Sequence, residues 1–189
     1  YAVKVNGEQI KTCLESVAQR FNRIDPARTT PQPLISSFPG YNFDMFTSPD
    51  VQYEIDVTQA LGSRIRNLTY KGQPMTAAQD FVIATNNYRA TSGKSILSVL
   101  DGSATLYASP DANRDVVIAY IKAHPSVTRA ANGAARSWRF SKVATAGKVT
   151  FASGPNALGV AQAAGLANVA LEQADDGSGR SLYSIDLSK

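Results

Sequence analysis

The sequence predicts an α+β domain with a mixed, largely antiparallel sheet and a few packed helices. One observation is the set of short alternating stretches, YAVKV (1–5), VQYEIDV (51–57) and RIRNLTY (64–70), whose period of two is that of a strand with one buried face. A second is the pair of segments with helical spacing, GEQIKTCLESVAQRF and SPDANRDVVIAYIKAH. The third is their order. Strands and helices do not alternate one for one, as a parallel βαβ array would require, and the central strands follow one another too closely for crossovers.

Taken in order, YAVKV is a strand, and Asn6-Gly7 turns it into a helix on which Ile10, Cys13, Leu14, Val17 and Phe21 recur at helical spacing. That helix is expected to run to Asp25-Pro26. A connector with prolines at 26, 31, 33, 39 and 49 follows. It is too long for an idle loop, so it is expected to pack over the surface or line a site, with Tyr41 and Phe43 either as core anchors of the loop or as part of the pocket wall. Two strands at 51–57 and 64–70, a Lys71-Gly72 turn and the apolar run FVIAT (81–85) come next. Asp111 is the expected N-cap of a helix carrying Val116, Val117, Tyr120 and Ile121 on one face. SWRFSKV, KVTFAS and SLYSIDLS read as further strands, and NALGVAQAAGLA as a small-residue helix.

Composition narrows the function classes. The chain has 189 residues, 43% of them hydrophobic, enough for a sizeable core in one domain or two small ones. No window approaches the ~20 apolar residues of a membrane span, and the first residues lack a secretory pattern. A start on a strand-like YAVKV points to a chain cut from something longer. The single cysteine, Cys13, excludes an internal disulfide and reads as a core thiol. The net charge of +4 is scattered, with no basic run and no aromatic-glycine RNA-binding pattern, so a nucleic-acid polymer is not the expected partner.

Hydrolytic machinery is hard to find. His124 is the only histidine and sits at a helix end before Pro125, without a cysteine or glutamate at ligand spacing. Asp44, Asp50, Glu54 and Asp56 cluster in sequence, but Glu54 and Asp56 share a strand face and read as surface charge. There is no phosphate-binding glycine loop; GSGR (177–180) precedes a strand, not a helix. By itself the chain is expected to catalyse nothing and to hold no metal.

The stretch ATNNYRATSGK (84–94) is the candidate site. An apolar run ends in Asn86 and Asn87, then presents the ring of Tyr88, the guanidinium of Arg89, and the small or polar Ala90, Thr91, Ser92 and Gly93. Such a segment suits a ligand approaching the backbone beside a flat aromatic face, or it is an ordinary turn in which Tyr88 caps the edge of the core.

The ordered series YNFDMF, VQYEIDVTQ, SRIRNLTYKGQPM, FVIATNNYRATSGK, LYASPDANRDVVIAYI and YSIDLSK resembles the C-terminal domain of the 5'-nucleotidase family, over nearly all of 1–189. Within that family it is most similar to the branch of periplasmic bifunctional 2',3'-cyclic-nucleotide 2'-phosphodiesterases/3'-nucleotidases. The resemblance implies a periplasmic phosphoric ester hydrolase acting on nucleotides and 2',3'-cyclic nucleotides. Catalysis and two divalent metal ions would then belong to an N-terminal metallophosphatase domain in cis, and this chain would bind the nucleoside. It further implies that Tyr88 is one of two rings that clamp the base, with Arg89, Ala90, Thr91, Ser92 and Gly93 forming the substrate-contacting turn behind it. The second ring is expected a few residues before Tyr1. Many relatives have Gly-Gly-Asp where this chain has Ser92, Gly93 and Lys94, and the missing sugar-binding aspartate fits the 3'-nucleotidase branch. A free-standing nucleotide or small-molecule binding module is the alternative.

Overall fold

Strand β1 (Ala2–Asn6) forms where the alternation predicts, with Val3 and Val5 buried. The computed structural model describes residues 1–35, 45–91, 103–133 and 135–189. Helix α1 (Gly7–Ala18) starts on a reciprocal cap: Asn6 Oδ1 accepts the Gln9 N–H at 2.9 Å, and Gln9 Oε1 accepts the Asn6 N–H at 2.9 Å. Gly7 is needed there because a Cβ would stand 2.1 Å from the Thr76 carbonyl oxygen. The helix buries Ile10, Cys13, Leu14 and Val17, each large side chain contributing about 1.5–3 kcal/mol of burial.

The helix stops at Ala18, not at Asp25-Pro26. Phe21 continues the helical spacing but is in extended backbone, bridged antiparallel to Ile35, and the Asn22 N–H goes to the Leu34 carbonyl at 2.7 Å. Tertiary pairing outcompetes local periodicity at this point.

The remaining elements are β2 (Gln32–Pro33), β3 (Val51–Ile55), β4 (Ile65–Tyr70), β5 (Gln73–Pro74), β6 (Asp80–Ala84), α2 (Asn87–Thr91), β7 (Thr105–Tyr107), α3 (Asn113–Ala123), α4 (Arg129–Asn132), β8 (Trp138–Phe140), β9 (Val149–Ser153), α5 (Ala157–Ala163), β10 (Val169–Gln173) and β11 (Ser181–Ile185). Among the described residues the strands form three sheets, in the orders β6-β1-β7, β10-β11-β9-β2 and β5-β4-β3-β8. The architecture is α+β. Strand β1 pairs antiparallel with β6 and β7, β11 with β10 and β9, and β4 with β5, whereas β2 pairs with β9 in parallel, the proline-rich connector adding a short strand with Gln32 opposite Val149. That half of the connector is structural, since Gln32 and Leu34 are buried. Tyr41, Phe43 and Asp44 lie outside the described residues.

The chain divides into two compact units, Tyr1–Val17 with Asp44–Tyr53 and Asn67–Trp138, and Ala18–Phe43 with Glu54–Arg66 and Arg139–Lys189. The first has Val3, Val5, Leu14, Val17 and Tyr53 in its core. The second is built on Ile24, Leu34, Ile55, Val57, Val149, Tyr183 and Leu187. Tyr183 is fully buried, and its hydroxyl donates to the carbonyls of Gly154 and Pro155 at 2.8 and 3.0 Å, so its polar end is satisfied. Lys71 (φ 50°) and Gly72 (φ 75°) make the expected turn, in the left-handed region that a tight β4–β5 reversal requires.

Helix α3 appears where the periodicity puts it, but its N-cap is Ala112 and no side chain caps it; Asp111 instead meets the Ser109 hydroxyl. No residue of α3 is buried, and Val116, Val117, Tyr120 and Ile121 are all exposed. Among the described residues no helix is long and apolar enough to cross a membrane.

Candidate functional site

The candidate stretch is positioned by the sheet of the first unit. Strand β6 pairs antiparallel with β1, from Asp80 opposite Asn6 to Ala84 opposite Ala2, and the pairing ends with the Thr85 N–H on the Tyr1 carbonyl at 3.0 Å. The terminal ammonium of Tyr1 returns a hydrogen bond to the Thr85 carbonyl at 3.0 Å. FVIAT is therefore an anchored strand, although its side chains alternate between half-buried and exposed and it is not an apolar interior run.

After Thr85 the chain turns into α2. Asn86 explains the start: its Oδ1 accepts the Arg89 N–H at 2.8 Å, a side-chain cap on the third helical residue. Ala90, with no exposed surface, pins the short helix to the core, and the Thr91 hydroxyl donates to the Asn87 carbonyl at 2.8 Å. Arg89, Ala90 and Thr91 are helical, which corrects the expected turn; a capping asparagine followed by residues that tolerate one helical turn is the signal that could have shown it. Ser92, Gly93 and Lys94 lie outside the described residues.

Tyr88 stands in the first turn of α2 and not at the strand terminus itself. It is 61% exposed, so it does not cap the core edge. The Arg89 guanidinium carbon lies 5.3 Å from its ring centroid, a cation–π contact that restrains the ring. A second ring stands at the same end of the sheet: Tyr107, at the end of β7, is opposite Ala2 and 60% exposed. Strand β7 leaves no mark in the sequence pattern, because three residues are too few to show a period.

Beyond this stretch, a cleft of about 500 Å³ in the first unit is lined by Met45, Asp50, Tyr70, Asp80, Phe81 and Ile83, with Tyr70 and Phe81 edge to face at 5.1 Å. Tyr88 does not line it. The acidic residues singled out in the sequence are committed elsewhere. Glu54 accepts from Arg139 and from the Ser141 hydroxyl at 3.0 Å. Burial works against the charge of Asp56, but the hydrogen bonds donated by Thr58 and Gln59, with Arg66 nearby, together hold its carboxyl below the ordinary value.

His124 caps α3, its Nδ1 2.8 Å from the Tyr120 carbonyl and its ring stacked on Tyr120 at 3.9 Å. Among the described residues no three His, Cys, Asp or Glu side chains come together in a way that could hold a metal ion. These residues do not fit a two-metal centre.

The folded chain is similar to a solved structure from Staphylococcus aureus described as a 5'-nucleotidase, at a TM-score of 0.55 over 74% of this chain and 26% of that one, with 19% identity. The likeness is one of fold, mixed sheets with a few helices. Residues 1–101 match the family described as 5'-nucleotidase, C-terminal domain, and the chain belongs to that family. It is 36% identical over 99% of its length to a 2',3'-cyclic-nucleotide 2'-phosphodiesterase/3'-nucleotidase of Haemophilus influenzae, and 41% identical over 74% of its length to the protein of the same name from Yersinia enterocolitica. A trifunctional nucleotide phosphoesterase of Bacillus subtilis is 38% identical over 63% of the chain. The chain spans less than a third of the length of each of these relatives: 31%, 23% and 9%.

Proposed function

We propose that this chain is the nucleoside-binding part of a periplasmic phosphoric ester hydrolase that acts on 2',3'-cyclic nucleotides and 3'-nucleotides, with Tyr88 stacking on the base. The observation that carries this reading is an exposed tyrosine on a capped, core-pinned helical turn, in the stretch that resembles the family's base-stacking segment. Arg89 restrains one side of the ring, and the ring offers its other face to a planar base. Stacking reads no base edge, so purines and pyrimidines bind alike.

Hydrolysis is assigned to an N-terminal metallophosphatase domain in cis, whose two divalent metal ions would activate water and neutralise phosphate charge. The residues of this chain contribute binding and orientation: Tyr88 takes the base, Arg89 and Thr91 flank it, and Ala90, fully buried, fixes the turn to the core.

Calorimetric titration of the 189-residue chain with adenosine and 3'-AMP tests the reading. Stacking is worth about 1–3 kcal/mol per base, so Tyr88→Ala is expected to weaken adenosine roughly 5- to 150-fold while Tyr88→Phe stays near the parent. Equal adenosine affinity in the parent and Tyr88→Ala proteins would overturn it. Turnover of 3'-AMP by the purified chain in excess Mn²⁺ would overturn the assignment of catalysis elsewhere.

A further inference from the structure

The second unit contains a cleft of about 460 Å³ with two arginines in its wall, Arg23 and Arg28, which the base-stacking reading leaves without a role. Each is held by one hydrogen bond from its Nε. Arg23 donates to the Thr58 carbonyl at 2.8 Å, and Arg28 donates to the Thr30 hydroxyl at 2.8 Å. Neither pairs with a carboxylate among the described residues. A guanidinium fixed at Nε keeps its two Nη groups as a fork, the geometry that grips an oxyanion through two parallel bonds.

The backbone under both residues is held from below. Gln32, buried beneath the cleft, accepts the Asp25 N–H and donates to the Asp25 carbonyl, both at 2.9 Å, and the Ile24 N–H goes to the Val57 carbonyl at 2.9 Å. Behind Arg28, the Ala146 N–H donates to the Pro26 carbonyl at 2.9 Å. Gly147 lies so close that a Cβ there would meet the Arg28 and Thr29 carbonyl oxygens at 2.7 and 2.6 Å. The backbone that carries the two arginines is therefore held in place before any ligand arrives, which lowers the cost of binding.

The geometry points to a binding site for a phosphate-type oxyanion in this cleft, either inorganic phosphate or the phosphate of a small monoester, gripped by the Nη groups of Arg23 and Arg28. Asp25 also lines the cleft, its Oδ1 accepting the Ala27 N–H at 3.0 Å, and its negative charge opposes the anion. Two cations against one anion leave the cleft positive.

The experiment is calorimetric titration of the chain with sodium phosphate, and separately with glycerol 3-phosphate and 3'-AMP, at ionic strength held constant with chloride. Saturable binding is expected. Arg23→Met and Arg28→Met should each weaken phosphate about tenfold or more, the loss of a charge-assisted hydrogen-bonded grip, while Asp25→Asn tightens it. Both arginines are exposed, so unchanged melting temperatures without anion will show that the variants are folded. Gly147→Ala should displace the Arg28 loop and weaken binding with both arginines intact.

A preference for phosphate identifies the free ion as ligand, and a preference for glycerol 3-phosphate a small monoester. Tyr88→Ala should leave phosphate affinity unchanged, which separates this site from base stacking. No saturable binding of phosphate or monoester would overturn the proposal, and so would an Arg23→Met/Arg28→Met double variant that binds like the parent.

Discussion

Replacing Arg64 by methionine tests how the end of α1 is closed. Arg64 is 2% exposed, and its Nη1 donates to the carbonyls of Ala18 at 2.8 Å and Phe21 at 2.6 Å, while Nε donates to the Gln59 carbonyl at 3.1 Å. Ala18 is the last residue of α1, so a cation stands where the helix dipole leaves negative charge and unsatisfied carbonyls. Methionine fills similar volume but donates nothing. The carbonyls of Ala18 and Phe21 then lose a charged donor in a buried setting, at about 1–3 kcal/mol each, partly offset because a buried cation no longer has to be desolvated. A net loss of about 3 kcal/mol follows, which for a chain of this size lowers the melting temperature by about 6–12 °C. Arg64→Lys keeps the charge but cannot span three acceptors, so it should fall between the two. The assay is thermal unfolding followed by near-ultraviolet circular dichroism. A methionine variant that melts within about 2 °C of the parent would show that desolvation cancels the hydrogen bonds, and the reasoning would fail.

Other outcomes can be stated briefly. Burial pushes the Cys13 thiol up to about 12, so at pH 8 it should resist a thiol reagent in the native chain and react fully once denaturant is added. The Asp56 carboxyl is held below its ordinary 3.8, so its contribution to stability is complete above that value and is lost as pH falls through the lower folded value. Asp56→Asn should accordingly melt below the parent at pH 7, with the gap closing in melts recorded below pH 3.8. Asn86→Ala removes the cap of α2 at about 1 kcal/mol locally, and hydrogen exchange should quicken at the Arg89 amide while that of Val5 is unchanged.

Most of the fold was legible where one face of an element is buried. The alternation of Val51, Tyr53 and Ile55, and the spacing of Ile10, Leu14 and Val17, are direct imprints of core contact. Elements that escaped notice are short or paired on weak pattern: β7 has three residues, and β10 is VALEQ with exposed Ala170 and Leu171. The overrun of α1 past Ala18 came from Phe21, whose spacing is helical by coincidence and whose burial comes from its bridge to Ile35 and its edge-to-face contact with Phe140 at 5.0 Å. At the site, Tyr88 and its neighbours could be picked out because two asparagines interrupt an apolar run. The Arg23–Arg28 cleft could not, since it depends on Gln32, Thr58 and Gly147 meeting from distant parts of the chain.

Strand β1 lies in the middle of its sheet, with β6 on one side and β7 on the other, yet it occupies the first residues of the sequence. Tyr1 is tied to Thr85 across 84 positions. On a ribosome adding about 5–20 residues per second, the strand would wait roughly 4–17 s for its first neighbour and longer for its second. Throughout that interval neither β6 nor β7, its two neighbours in the sheet, has been made. Stretches of this kind recruit holding chaperones, so slowing translation between residues 20 and 80 should raise the share of nascent chains that bind them.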